Sequence, residues 1–104
     1  MIKMNTLVVD DDKLWQQSIS KFVQINPNLH FIGTCSSAME AYGVMAEKEI
    51  DLLICDIEMP EMSGIDFVRN IKNPPLVDLF HRTMTASGTM AITVTHKQRI
   101  CQRR

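Results

Sequence analysis

Apolar residues along the chain switch repeatedly between two periods. Thr6-Leu7-Val8-Val9 is a short, β-branched, uninterrupted run that stops at Asp10-Asp11-Asp12, the pattern of a buried strand with an acidic end. From residue 13 to 23, Trp15, Ile19, Phe22 and Val23 recur at helical spacing; Asp11 or Asp12 stands where an N-cap is needed, and Asn26-Pro27-Asn28 ends the segment. A second strand fits residues 29–34. Ser37-Ala38-Met39-Glu40 has the form of a capping box and opens a helix with Ala41, Tyr42, Met45 and Ala46 on one side. Residues 50–55 are nearly continuous in apolar character, as expected for a central parallel strand covered on both faces, and end at Asp56. After Met59-Pro60, residues 64–72 place Ile65, Val68 and Ile71 at helical spacing behind Ser63 as a cap. The order βαβαβα predicts an α/β fold, a doubly wound parallel sheet with right-handed crossovers.

Past Asn73-Pro74-Pro75 the pattern changes. Two prolines forbid helix continuation, and Asp78 and His81-Arg82 interrupt the apolar run that begins at Leu76. Met90, Ile92 and Val94 then alternate with Ala91, Thr93 and Thr95, predicting a strand or half of a hairpin with Ser87-Gly88 as a turn. Residues 97–104 read as a frayed, basic end. Charge reverses at the same place: residues 1–72 carry 6 Lys+Arg against 11 Asp+Glu, whereas residues 73–104 carry 5 against 1. The chain therefore divides into a core of residues 1–77 and an atypical tail of residues 78–104. The expectation is a sheet that is incomplete after the third helix, with a truncated or frame-shifted tail. Such a domain would complete its core as a homodimer, through an exposed sheet edge or a swapped tail.

The length of 104 residues with 45% hydrophobic positions suits one domain. A net charge of −1 denies the chain the broad basic field of a nucleic-acid binder, so nucleic acid is not an expected partner of this chain alone. No apolar run has the length of a membrane span, and Met1 to Asn5 lacks the layout of a signal peptide; the expected localisation is cytoplasmic, with no membrane partner. Cys35, Cys55 and Cys101 cannot all pair and form no CxxC motif, so they read as buried or idle thiols.

The chemistry lies at two strand ends. In open α/β sheets ligands bind beyond the carboxyl ends of the strands, where this sequence sets Asp10, Asp11 and Asp56. If the two strands are neighbours, the carboxylates share one acidic pocket. Like charges so close raise each other's pKa unless a cation intervenes, and hard oxygen ligands favour Mg²⁺ with retained waters and phosphate oxygens.

These residues resemble the receiver domain of two-component response regulators, a flavodoxin-like fold. Val8-Val9-Asp10-Asp11-Asp12 resembles that family's acidic pair, and Asp56-Ile57-Glu58-Met59-Pro60-Glu61-Met62-Ser63-Gly64 resembles the segment that follows its phosphoacceptor. The second motif, with Asn73-Pro74-Pro75-Leu76-Val77, is similar to the LytTR-type branch. The resemblance implies that Asp56 takes a phosphoryl group from a sensor histidine kinase. It further implies that Asp11 ligates Mg²⁺ directly, that Asp10 assists through water, and that Glu58 offers its backbone carbonyl. Such a chain is a phosphoacceptor rather than an enzyme, with at most slow self-phosphorylation and self-dephosphorylation. Pro60 and Gly64 would shape the loop and helix start, and Asp12 would be a helix cap. The resemblance covers about residues 4–77. Beyond them the family's hydroxyl and lysine have only weakly matching counterparts, Thr83 or Thr85 and Lys97. Two other readings remain open at this level: a non-switching receiver-like interaction module, and a haloacid-dehalogenase-like phosphatase using Asp10-x-Asp12 as nucleophile and general acid.

Overall fold

The computed structural model describes residues 3–59, 61–72, 74–84 and 90–99, with the backbone alone for 81–84 and 90–99. Five strands form one sheet in the order β2-β1-β3-β4-β5. They are β1 (Met4–Val9), β2 (Leu29–Cys35), β3 (Leu52–Asp56), β4 (Leu76–Met84) and β5 (Met90–Arg99); three helices, α1 (Lys13–Ile25), α2 (Ala38–Glu47) and α3 (Gly64–Arg69), connect the first four. β1 runs parallel to β2 and β3, and β3 parallel to β4, whereas β5 is antiparallel to β4. Four parallel strands wound by helices on both faces make a flavodoxin-like sheet.

Alternation along the strands sorts residues between two cores. Leu7, Val9, Leu53, Cys55, Val77 and Leu79 meet Ala38 and Ala41 of α2 and Phe67 and Val68 of α3. Val8 and Phe80 face the other way, onto Ile19 and Val23 of α1. The central strands thus read as continuous apolar runs because both of their faces are covered.

Several boundaries differ from the sequence expectation, each for a local reason. β3 begins at Leu52 rather than residue 50, because the Asp51 carboxylate accepts from the Asn5 backbone N–H (2.8 Å) and serves as a tie between strand starts. α1 runs on to Ile25, where Asn26 turns extended and its side chain accepts from the Asn28 N–H (2.9 Å). α3 stops at Arg69 instead of residue 72: the Asn70 and Ile71 amides close onto Phe67 and Val68 carbonyls three residues back, and the Asn70 side chain donates to the Asp66 carbonyl (2.9 Å).

Two faces differ as well. Phe22 on α1 is 65% exposed, while Gln16 and Ser20 are buried beside Trp15, Ile19 and Val23. At about 100° per residue the buried arc runs from Trp15 to Ser20, and Phe22 falls just outside it. In α3 the buried pair is Phe67 and Val68, with Ile65 exposed. On α2, Ala46 is exposed and Val44 packs against the core with Tyr42 and Met45. Beyond residue 77 the chain continues as sheet. Asp78 does not interrupt β4, which pairs with β3 from Leu76 to Phe80 and forms an antiparallel hairpin with β5.

Candidate metal centre

The register of β1 and β3 builds the site. Their last pair is Val9 with Cys55, so the next residues, Asp10 and Asp56, emerge side by side from adjacent strands, which lie about 4.8 Å apart. Both are fully buried, and Asp11 is half-buried at the mouth. One carboxylate oxygen from each of Asp10, Asp11 and Asp56 lies within 4.8 Å of the others. Three hard anionic oxygens at that separation fit a small divalent cation with an open, hydrated side, and Mg²⁺ is the ion that such a donor set suits.

Backbone amides set the carboxylates. Asp10 Oδ1 accepts from the Asp12 N–H (3.0 Å), and Asp56 Oδ1 accepts from the Glu58 N–H (3.1 Å). Each aspartate is thereby turned by a residue two positions on in its own loop. The same bond puts Glu58 directly after the acidic pocket. Asp12 itself accepts from the Leu14 and Trp15 amides (2.9 and 3.2 Å) as the N-cap of α1; this is not the general-acid role of the phosphatase reading.

Gly64 is needed for close approach. A Cβ there would collide with the Asp56 carbonyl oxygen and lie 3.0 Å from Ile57 Cα, while the Gly64 N–H donates to the Ile57 carbonyl (2.7 Å). The start of α3 is thus pressed onto the end of β3, which holds the Asp56 backbone in place. Tyr42 supports the same loop from α2: its hydroxyl donates to the Phe67 carbonyl (3.3 Å), and its ring meets that of Phe67 edge-on with centroids 5.0 Å apart.

Cys55, between Asp56 and the core, donates its thiol to the Asp56 carbonyl (3.4 Å). Burial pushes its pKa up, and the Asp56 and Asp10 carboxylates push it further. Burial also raises Cys35, to about 11, with Glu40 adding to it. Both cysteines pair in register with Val9 from opposite sides. They therefore stand two strand spacings apart, about 10 Å, too far for a disulfide.

Of the site residues expected from the sequence, Asp10, Asp11 and Asp56 are brought together, and Glu58 meets Asp56 through its backbone N–H. Lys97 is placed opposite Asp78 on β4, and Asp78 pairs with Ile54, two residues before Asp56 on β3; its backbone is roughly 7 Å below the level of the carboxylates along the strands. Thr83 is in the last part of β4. Thr85 and Pro60, with Ser87-Gly88 and residues 100–104, lie outside the described residues. Gln16, which does not belong to the apolar spacing that marks α1, is buried against the ends of β1 and β2.

A family model for the response regulator receiver domain matches residues 6–99. The chain belongs to this family. The match continues through β4 and β5, past residue 77. Among curated proteins, a protein-glutamate methylesterase/protein-glutamine glutaminase of Vibrio vulnificus is 33% identical over 90 residues, 86% of this chain and 26% of that protein. The transcriptional regulatory protein BtsR of Escherichia coli is 37% identical over 68 residues, 65% of this chain and 28% of that one. The chain thus spans about a quarter of the length of these relatives. The response regulator domain of Thermotoga maritima CheB superposes with a TM-score of 0.68 at 28% identity, covering 74% of this chain and 59% of that one. A structure of the P1 domain of CheA3 in complex with CheY6 from R. sphaeroides gives 0.67 at 26% identity, covering 86% of this chain and 70% of the matched one. Among the described residues no helix is long and apolar enough to cross a membrane.

Proposed function

We propose that this receiver domain accepts a phosphoryl group on Asp56 from a sensor histidine kinase, with Mg²⁺ held by Asp10, Asp11, Asp56 and the Glu58 backbone carbonyl. The observation that carries the reading is the convergence of three carboxylates, two of them fully buried, at the ends of adjacent parallel strands. The complex of CheA3 and CheY6 among similar structures supports a phosphotransfer domain as the partner. Held by these residues, Mg²⁺ would supply positive charge against the negative charge of the phosphoryl group. The chain's own residues do the rest. A carboxylate oxygen of Asp56 forms a bond to phosphorus while the phosphorus–nitrogen bond of the donor imidazole breaks, and the imidazole nitrogen keeps the electron pair. The Glu58 amide fixes the rotation of the Asp56 carboxylate for this attack, and the Asp12 amide does the same for Asp10. In this reading the domain is a cytoplasmic phosphoacceptor and not an enzyme, and the motif from Asp56 to Gly64 aligns it with the LytTR-type branch.

Incubation with acetyl phosphate and Mg²⁺ should add one phosphoryl mass to the protein and none to Asp56→Asn, whose amide lacks the anionic nucleophile. Equal labelling of the two would remove Asp56 from the role.

Thr85 and Lys97 enter this reading as the hydroxyl and the cation for the phosphoryl oxygens. The register that sets Lys97 opposite Asp78 favours a second reading, a receiver that takes the group without switching. A ligand shifts a conformational equilibrium only through contacts that differ between the states. Beryllium fluoride should therefore leave amide exchange in β4 and β5 unchanged; strong protection there would restore the switch.

A further inference from the structure

Gln16 is the one buried carboxamide among the buried polar residues of the described chain, and it sits at the junction of three elements. It is 5% exposed on the inner side of α1. Its Nε2 donates to the Asp10 carbonyl, to the Cys35 carbonyl (3.3 Å) and to Ser36 Oγ (3.0 Å). The Asp10 N–H in turn donates to the Cys35 carbonyl (2.9 Å). β1 and β2 thus end in a small network closed by a side chain from the helix between them. A glutamine amide has two protons, so three acceptors share them and the group is confined on every side.

We propose that Gln16 is a positioning residue for the acidic pocket: its amide clamps the Asp10 backbone to the end of β2 and so sets where the Asp10 and Asp11 carboxylates stand. The inference rests on the reading of that pocket as a Mg²⁺ site and adds to it a residue that touches neither metal nor phosphate. The geometry favours this role over simple helix packing. An apolar residue would fill the same space at lower desolvation cost, yet α1 is rotated to bury Gln16 and Ser20 while Phe22 is left exposed. Without the amide, the buried Asp10 carbonyl loses this donor, the Cys35 carbonyl keeps only the Asp10 N–H, and the partly buried Ser36 hydroxyl loses its tie to α1. The nearest relief is for the β1–α1 turn to move, and the two metal-facing aspartates ride on that turn. Outer partners of this kind typically govern metal affinity by tenfold or more.

The test compares Gln16→Met, of similar length without a donor, with Gln16→Asn, which keeps the amide but is one methylene short. Ser20→Ala is the control, because its hydroxyl bonds only the Gln16 carbonyl one turn back on the same helix (2.6 Å). Mg²⁺ affinity is read by titration calorimetry, and exchange of the Asp10 and Asp12 amides is read in the metal-free protein. We expect Gln16→Met and Gln16→Asn to weaken Mg²⁺ binding about tenfold and to accelerate exchange at Asp10 and Asp12, with Ser20→Ala unchanged in both. Should Gln16→Met fail to fold, Gln16→Asn carries the comparison. Unchanged exchange at Asp10 and Asp12 in a folded variant overturns the clamp, as does Mg²⁺ affinity equal to wild type. If the wild type binds no Mg²⁺, the functional reading falls, while the exchange data still decide whether Gln16 holds the turn.

Discussion

Asp10, Asp11 and Asp12 are three identical residues in a row with three different environments. Asp10 is buried beside Asp56, Asp11 stands half-exposed at the mouth, and Asp12 turns back to cap α1. The cap is separable from the site, because Asp12 reaches Asp10 through its backbone N–H, which any residue supplies. Asp12→Ala should therefore cost about 1 kcal/mol of stability and leave Mg²⁺ affinity intact, whereas Asp11→Ala should abolish most binding; denaturant melts and metal titration check the pair. The reverse order would mean that the metal-facing residue is Asp12. Cys35 offers a pH test. Its folded pKa, about 11, lies above the ordinary value of 9.0, so the folded state holds the proton more tightly. Its contribution is fully present below pH 9 and is lost as pH rises through 11. Stability should fall over this alkaline window and fall less steeply in Cys35→Ala, with no change near neutral pH; equal slopes would show that the thiol is not the group responsible.

Among the elements, α3 is the most dependent on its neighbours. Six residues are too few for a helix to persist by propensity. Its start is fixed by Ser63, whose hydroxyl accepts from the Asp66 N–H (3.1 Å), and by the absence of a side chain at Gly64; its far side is held by Tyr42. Tyr42→Phe keeps the ring contact and removes only the hydroxyl, so it should lower stability by about 1 kcal/mol, and Tyr42→Ala should lower it more. A neutral Tyr42→Phe in denaturant melts would mean that apolar packing, the edge-on ring contact included, joins α2 to α3 without help from the hydroxyl.

At the scale of the whole molecule, the sheet has β2 and β5 as its edges. β5 is ten residues long, and among the described residues no strand lies on its outer side. A long edge with free backbone groups is a template for another chain. Antiparallel pairing of two β5 strands would set Lys97 and Arg99 of each copy toward the uncharged Met90 end of the other, so like charges would not stack. Sedimentation at increasing concentration should show a dimer, and a proline at Ile92 should return it to a monomer. A protein that stays monomeric throughout would rule out edge pairing.

The amino-acid sequence by itself determined the period of each element through the third helix, the acidic strand ends and the capping residues, because these depend on neighbours a few positions away. It also placed Asp10, Asp11 and Asp56 in one candidate site, since parallel strand order carries their ends to the same side; Glu58 joined them only through the family resemblance. Other features were decided only by tertiary structure. The rotation of α1 that hides Gln16 and exposes Phe22 follows from packing against strands at both ends of its loops. Gly64 is marked in sequence only as shaping a helix start, and the close approach to Asp56 that demands it exists only in the fold. The register of β5 against β4, and with it the place of Lys97, follows from pairing, because a period-2 pattern reads the same in either of two neighbouring registers of one face. Local spacing encodes what an element is; rotation, register and burial of polar groups arise where distant segments meet.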